Sequence, residues 1–227
     1  MSHRRILLSL LALFLCVEHG PLGAERRRWG IASGDPFVKE IVLTFDDGPR
    51  ERGMQELIAV LGERDVHATF FLVGKFAERY APITRSLAEA GHEIANHTYT
   101  HPKLWALWVE KIMREAERCD EVLEALGLPR TRFLRPPGGS FNVKVFNAMR
   151  RMGLRLGLWS INSADYTGRP TEEIVRSVLR GARPGAIVLM HSGVPNTVAA
   201  LPEIIDGLRA MGYRFVRLEE LWDGGAI

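Results

Sequence analysis

The sequence predicts a single α/β domain whose parallel strands form a closed or nearly closed barrel. Seven short runs rich in β-branched and aromatic residues alternate with six longer stretches of helical periodicity, and glycine follows several of those stretches directly. A length of 227 residues and a hydrophobic fraction of 46% suit one soluble globular domain. A doubly wound open sheet would produce a similar alternation, so the periodicity leaves that alternative open.

The predicted elements run along most of the chain in strict alternation. The strand-like runs cover residues 41–45, 68–73, 92–95, 132–134, 154–161, 186–190 and 214–216. The helical patterns cover residues 52–64, 77–90, 104–126, 143–152, 171–181 and 198–211. Glycine readily adopts the left-handed conformation that ends helices, and it follows four of these patterns, at Gly91, Gly127, Gly153 and Gly212.

The charge pattern argues against a nucleic-acid partner. The formal net charge is +3, and the arginines are scattered along the chain instead of lying in a basic stripe. We therefore expect no nucleic-acid binding, and nothing in the composition indicates an obligate protein partner.

The first residues predict export from the cytoplasm. Residues 1–24 combine a basic start, an apolar run over residues 6–17 and small residues before a charged stretch, which is the pattern of a secretory signal cleaved after Ala24. Twelve apolar residues are short for a membrane span, and an uncleaved signal acting as a membrane tether is the alternative. We expect a tether over residues 25–37, a catalytic domain over 38–222, a tail over 223–227, and an extracellular, periplasmic or cell-envelope location.

Polar residues follow the predicted strands at the points where they end. In parallel β-α folds the loops after the carboxyl ends of the strands share one face, and active sites lie there. We therefore expect the titratable residues in these positions to meet in one pocket. They are Asp46, Asp47, His97, His101, Arg135, Asp165 and His191.

Two short segments in this set predict a metal site. In T-F-D-D-G-P, residues 44–49, two carboxylates follow an apolar run, although an Asp-Gly turn alone would explain them. In N-H-T-Y-T-H-P, residues 96–102, two histidines stand four apart, which is weakly specific without context. Together, one carboxylate and two imidazoles make a three-ligand set with open positions, as a catalytic metal requires.

The doubled carboxylate can then serve two tasks. One aspartate binds the metal, and its neighbour accepts a proton from the attacking water. Arg135 can orient this base through a forked hydrogen bond. His191 arrives from the opposite side of the pocket and can protonate a leaving nitrogen.

Five motifs together resemble the polysaccharide deacetylase family, the group that shares the chitooligosaccharide deacetylase domain and is also called carbohydrate esterase family 4. The motifs are T-F-D-D-G at residues 44–48, H-T-Y-T-H at 97–101, R-P-P at 135–137, N-S-A-D-Y at 162–166 and L-M-H at 189–191. Each motif alone is weak, whereas five in the family's order are highly specific. The resemblance covers residues 38–221.

The resemblance implies a distorted (β/α) barrel of about seven parallel strands. It also implies metal-dependent removal of N-acetyl groups from the amino sugars of a polysaccharide, such as peptidoglycan, a chitin-like oligomer or an exopolysaccharide. Asp46 corresponds to the general base and His191 to the general acid. The metal ligands would be Asp47, His97 and His101, and the ion most often zinc, with cobalt or another divalent ion as alternatives.

The same resemblance implies supporting roles for further residues. Arg135 would steady the base, and Asp165 would brace His191. Leu189 would line the pocket for the acetyl methyl group, and the loop after Arg135, at Gly138, would offer a backbone N–H to the oxyanion.

The sequence departs from the family pattern at two places. Gly138 and Gly139 follow R-P-P where the family usually has an aromatic residue, which removes one wall of the substrate groove. The fourth motif opens with Asn162 instead of aspartate and closes with Tyr166 instead of tryptophan, although tyrosine can still stack on a sugar. The departures affect the substrate more than the reaction. Two alternatives stay open: hydrolysis of a small non-sugar amide, and a glycan-binding module with reduced catalysis.

Overall fold

The computed structural model describes residues 29–224, which form one nine-stranded sheet and eight α-helices. The strands are β1 (Gly30–Ile31), β2 (Glu40–Gly48), β3 (Thr69–Leu72), β4 (Glu93–Asn96), β5 (Phe133–Leu134), β6 (Arg155–Gly157), β7 (Ile161–Asn162), β8 (Ala186–His191) and β9 (Arg214–Phe215). The helices are α1 (Met54–Glu63), α2 (Gly74–Arg79), α3 (Ala81–Glu89), α4 (Val109–Ala125), α5 (Val143–Met152), α6 (Thr171–Gly181), α7 (Pro195–Ala210) and α8 (Leu218–Gly224). Short 3₁₀ turns cover Leu104–Ala106, Pro137–Gly139 and Asp165–Thr167.

The strand order confirms a distorted (β/α) barrel. The sheet runs β1-β6-β5-β4-β3-β2-β8-β7, with β9 beside the start of β2, and its strand pairs are parallel. Strands β2 to β6 lie side by side in chain order without the reversal that marks a doubly wound sheet. Ser33 forms an antiparallel bridge to Ala186 at the start of β8, so the segment after β1 connects the two sides of the sheet.

The barrel separates two apolar layers. Val42, Phe71 and Phe133 belong to a cluster that fills its interior. Their neighbours in sequence, such as Leu43 and Phe70, pack outward in a larger cluster with the helices. This alternation is the two-residue period of a strand, and both faces are apolar because helices cover the outside.

Helix α5 shows how the local sequence sets an element's bounds. The side-chain oxygen of Asn142 accepts hydrogen bonds from the main-chain N–H groups of Lys144 and Val145, which caps the first turn. Gly153 ends the helix in the left-handed conformation, with φ of 69°. The predicted range of 143–152 agrees with these bounds.

The structure differs from the predicted elements in four places. The helical pattern over 104–126 divides into the 3₁₀ turn Leu104–Ala106 and helix α4, because Leu107 and Trp108 have extended backbones. The strand-like run over 154–161 divides into β6 and β7, because the N–H of Leu158 bonds to Ile31 whereas the N–H of Ser160 bonds to Ile187 on the other side. The helical pattern over 77–90 breaks at Tyr80, which has φ of −113° and ψ of 45°. Helix α8, which includes Asp223 of the predicted tail, was not expected at all.

The amino-terminal edge begins earlier than the predicted domain start. Gly30 pairs with Leu156 and Ile31 with Gly157, so β1 lies within the range that the sequence analysis treated as a tether. The predicted signal over 1–24 and residues 225–227 of the predicted tail lie outside the described residues. Within residues 29–224, no helix combines the length and apolar character needed to cross a bilayer.

Candidate active site

Strand alternation directs a set of polar side chains into one end of the barrel. Val42 on β2 and Phe133 on β5 face the interior, so the side chains two or four places further along face the same way. The same rule holds on β4 and β8. The polar residues that it brings to this rim are Thr44, Asp46, His97, Arg135 and His191.

Asp47, His97 and His101 converge into one group that could hold a metal ion. Their ligand atoms all lie within 4.8 Å of one another. Oδ1 of Asp47 lies 3.0 Å from Nε2 of His101 and 3.4 Å from Nε2 of His97. Donors around a tetrahedral zinc ion lie about 3.4 Å apart, because the metal–ligand bonds are about 2.1 Å long. The donor types and their spacing therefore fit zinc or a similar divalent ion.

The protonation states of this group also suit a metal. Nδ1 of His97 lies 2.7 Å from the carbonyl oxygen of Arg135, which can only accept, so Nδ1 carries the proton and Nε2 presents a lone pair. Burial opposes ionisation of Asp47, but the two adjacent imidazoles hold the pKa of its carboxyl well below the usual range. An ionised carboxylate and a free imidazole nitrogen are what metal binding needs.

Three residues of the site hold an uncommon backbone conformation. Asp47, Thr98 and His101 have φ values of 65°, 67° and 62°, in the left-handed region that costs a non-glycine residue about 1–3 kcal/mol. At Asp47 this departure coincides with a register shift between β2 and β3. Consequently both aspartates turn toward the same pocket: carboxylate oxygens of Asp46 and Asp47 lie 3.8 and 3.4 Å from Nε2 of His97.

Asp46 lies beside the metal group and is held by a fully buried arginine. Nη1 of Arg135 donates to Oδ1 of Asp46 at 2.7 Å. The predicted forked bond is wrong: Nε and Nη2 donate instead to the carbonyl oxygens of Gly157 and Leu158, at 2.8 and 2.9 Å. A single charge-assisted bond therefore orients one oxygen of Asp46, while the other is turned to His97.

His191 and Asp165 form a second coupled pair on the rim. Nδ1 of His191 lies 2.7 Å from Oδ1 of Asp165, and the main-chain N–H of His191 donates to Oδ2 at 2.7 Å. Burial lowers the pKa of His191, but the bond to Asp165 and its charge outweigh burial, so the pKa is raised. The pKa of Asp165 is lowered, because the bonds from His191 outweigh its burial. Asp46 and His191 are register partners on β2 and β8.

The three predicted substrate-binding residues lie around the same rim. Leu189 is buried, is the register partner of Thr44 and faces the same way as His191, two residues further along β8. The ring of Tyr166 packs edge-on against His191 at 5.2 Å between centroids and remains 60% exposed. Gly138 has φ of 68°, and a Cβ added there would meet no atom within 4 Å.

A family model described as polysaccharide deacetylase matches residues 33–157. The chain belongs to the polysaccharide deacetylase family. The chitooligosaccharide deacetylase of a Bradyrhizobium species is 35% identical over 225 residues, which cover 90% of this chain and 99% of that protein. This agrees with the five sequence motifs.

Two solved structures of similar fold differ in what they are said to do. A peptidoglycan N-acetylglucosamine deacetylase in complex with 4-naphthalen-1-yl-N-oxidanyl-benzamide aligns with a TM-score of 0.84 at 30% identity, over 90% of this chain and 97% of its own. A pseudoenzyme of the same family from Bacillus anthracis aligns with a TM-score of 0.80 at 28% identity, over 86% of this chain and 69% of its own. Family membership alone therefore does not decide whether a chain is catalytic, and the residues of the site have to be considered with it.

Sequence patterns do not reveal the residues that hold the loop at residues 97–101 of this deacetylase, which carries the candidate ligands His97 and His101 and is called the metal loop below. Glu115 on α4 accepts hydrogen bonds from both the N–H and the hydroxyl group of Thr100, each at 2.8 Å. The side-chain amide of Asn96 donates to the buried carboxylate of Asp120 on the same helix, at 2.8 Å. These partners stand 15 and 24 positions apart, and no local pattern connects them to His101.

The Asp46–Arg135 and Asp165–His191 pairs also have supports that the motifs did not reveal. The hydroxyl group of Thr197, on α7, donates to Oδ2 of Asp165 at 2.6 Å. The hydroxyl oxygen of Thr44 accepts from Nη1 of Arg135 at 2.8 Å. Each threonine thus fixes one member of a pair that faces the site.

One of the two unusual glycines has a clear structural reason. A Cβ on Gly139 would lie 2.3 Å from the indole ring of Trp159, and its φ is 66°. Gly138 lies next to open space instead. A side chain at Gly138 would therefore meet no neighbouring atom, and the predicted loss of a groove wall stays a prediction.

Proposed function

We propose that the protein is a metal-dependent hydrolase that removes N-acetyl groups from amino sugars of a polysaccharide and releases acetate. One observation carries the proposal: the metal group of Asp47, His97 and His101 lies beside the Asp46–Arg135 pair, and His191 is the register partner of Asp46 on the neighbouring strand. A carboxylate held by a buried arginine and a histidine held by a buried aspartate suit a base and an acid on two sides of a substrate.

Asp47, His97 and His101 would hold the metal. Such an ion polarises an amide carbonyl and makes a nearby water more acidic. Zinc is the first expectation, and other divalent ions accept the same donors.

Asp46 is the proposed general base. Arg135 fixes the Oδ1 atom of Asp46, which leaves Oδ2 free to accept a proton from the attacking water. The water oxygen bonds to the amide carbon, and the charge that develops on the carbonyl oxygen meets the backbone N–H of Gly138. Gly138 and the following Gly139 both have left-handed backbones, with φ of 68° and 66°.

His191 is the proposed general acid. Asp165 holds its Nδ1, so Nε2 faces away from the pair and can donate a proton to the sugar nitrogen. The raised pKa keeps the ring protonated to higher pH than an isolated imidazole. When the carbon–nitrogen bond breaks, the amine leaves with this proton and acetate carries the water oxygen.

The relatives and the rim together support a polymeric glycan as substrate. Similar proteins are described as acting on chitooligosaccharides and on peptidoglycan N-acetylglucosamine. Tyr166 lies beside His191 with most of its ring exposed, where it could stack on a sugar. With the proposed export signal, the substrate would be an extracellular, periplasmic or cell-envelope glycan.

A catalytically inactive glycan binder is the second candidate, since a pseudoenzyme has a similar fold. The deciding experiment measures acetate release from acetylated chitooligosaccharides and from peptidoglycan, after chelation and after zinc is restored. We expect release that stops on chelation and returns with zinc. Acetate release from neither glycan by protein loaded with stoichiometric zinc would favour the binder. Acetate release only from small non-sugar amides would favour the remaining alternative, an amidohydrolase of a small molecule.

A further inference from the structure

Two exposed tryptophans follow the metal loop, and neither belongs to the buried core. Trp105 is 46% exposed and Trp108 is 77% exposed, a few residues after His101. Val143, 69% exposed, stands at the start of the neighbouring helix α5. Clustered exposed apolar side chains usually mark a binding surface. These three residues are called the tryptophan patch below.

Trp108 occupies a position that normally has another residue type. It is the N-cap of α4, where serine, threonine, aspartate or asparagine would accept a bond from the first turn, and its side chain makes no such bond. In contrast, Asn142 caps the start of α5. Trp108 thus does not cap its helix and does not pack in a core; its ring lies 5.3 Å from the ammonium group of Lys144 on α5. A residue that breaks a local rule and stays mostly exposed is a candidate for function.

The tryptophan patch lies on the loops that also carry residues of the candidate active site. Its two loops follow β4 and β5, the strands whose ends lead to His97 and Arg135. The side-chain amide of Asn142 donates to the carbonyl oxygen of Trp105 at 3.0 Å, which ties one loop to the other. Movement of the patch relative to the metal loop is therefore restricted.

We propose that Trp105 and Trp108 form a sugar-binding subsite for a glycan chain that extends from the metal group. Indole rings offer flat apolar faces with a polar N–H, which suit the apolar faces and hydroxyl groups of pyranose rings. Tyr166, next to His191 on another part of the rim, adds a second exposed aromatic ring. The glycan thus contacts aromatic rings in two directions from the reacting group. This inference rests on the proposed function and specifies a polymer of several sugars as its substrate.

The test compares the double variant Trp105→Ala/Trp108→Ala with wild type on a long and a short substrate. The substrates are the hexamer and the dimer of β-1,4-linked N-acetylglucosamine, and acetate release gives kcat and KM. We expect the KM for the hexamer to rise about tenfold with kcat unchanged, because stacking on an aromatic ring contributes roughly this much affinity. The dimer, which does not reach the patch, should show no change.

The matched control is Phe37→Ala, which removes an aromatic ring that is 83% exposed and precedes β2, at the opposite end of the barrel. It should leave both substrates unaffected. If the ratio of the hexamer KM to the dimer KM were the same in wild type and in the double variant, the subsite would be overturned. A double variant that keeps normal hexamer kinetics but loses binding to phospholipid vesicles would also overturn it, since the patch would then bind a lipid surface.

Calorimetric binding of the hexamer separates this inference from the proposed function. If wild type releases no acetate from any glycan but binds the hexamer about tenfold more tightly than the double variant, the subsite stands and the deacetylase function fails. If acetate release is normal and both proteins bind the hexamer equally, only the subsite fails.

Discussion

The two ends of the barrel each bury a carboxylate, but they surround it with different partners. At the carboxyl ends of the strands, Asp46 is 5% exposed and accepts a bond from the guanidinium group of Arg135. At the opposite end, Glu93 is 9% exposed and accepts bonds from the hydroxyl group of Thr69 and the main-chain N–H of Glu219. A buried cation faces the first carboxylate, whereas uncharged donors face the second.

This difference separates the carboxylate that we propose as the base from one used in packing. Burial raises the pKa of Glu93 to about 7, because its hydrogen bonds offset only part of the lost hydration. Glu93 can therefore take up a proton near neutral pH while it joins β4 to α8. The active-site end instead matches its carboxylate with a charge. Apolar residues such as Phe71 and Phe133 fill the barrel between the two ends.

The largest effect is expected from removing the charge of the proposed base. Asp46→Asn keeps the size of the side chain but cannot accept the water proton, so kcat should fall by about 10²- to 10⁴-fold. Metal content should stay at the wild-type level, because Asp46 is not among the three proposed ligands. Steady-state kinetics and plasma mass spectrometry check both parts. A wild-type kcat in Asp46→Asn would contradict the assignment of Asp46 as the general base.

Breaking the ion pair should destabilise the protein strongly. Arg135→Met would leave the Asp46 carboxylate and the carbonyl groups of Gly157 and Leu158 without their donor, at a cost of about 3–5 kcal/mol in the free energy of unfolding. Urea denaturation measures this change. A loss below about 1 kcal/mol would mean that water readily replaces the guanidinium group.

At the other end, removing the charge should stabilise the protein, and only at high pH. Unfolded Glu93 titrates near 4.5 and folded Glu93 near 7, so the native state binds more protons between these values and loses stability as pH rises through them. Glu93→Gln should therefore unfold like wild type at pH 4.5 and be more stable at pH 8 by up to about 3 kcal/mol. An equal difference in stability between Glu93→Gln and wild type at both pH values would contradict the raised pKa of Glu93.

The smallest expected effect concerns the helix that holds the metal loop. Glu115→Gln loses one of the two acceptors for Thr100 and should weaken zinc binding about tenfold, as measured by competition with a chelator. Glu121→Gln is the control, because this exposed residue on the same helix pairs with Arg118. Equal zinc affinity in the two variants would show that α4 does not position the metal ligands.

The strand ends and the site residues that follow them could be predicted because two periodic rules act together. Parallel strands bring their carboxyl ends to one rim, and the two-residue period decides which side chains face inward. Asp46, His97, Arg135 and His191 obey both rules, so their positions follow from short-range patterns. Family motifs then separated the functional residues from turn residues.

Other features could not be predicted because they depend on distant partners or on very short segments. Strand β1 has only two residues, and its pairing with β6 is set by contacts far along the chain. Asp120 and Glu115 look like ordinary polar residues of an amphipathic helix until Asn96 and Thr100 are placed beside them. The direction of Asp47 depends on a left-handed backbone, which is uncommon for non-glycine residues and which no local pattern signals.

The most direct test of the account is the metal content of the purified protein, measured by plasma mass spectrometry after dialysis against zinc. The account predicts about one ion per chain in wild type and in Asp46→Asn, and a large loss of both metal and acetate release in His101→Ala. Full metal retention in His101→Ala, or a wild type that releases acetate without bound metal, would contradict it.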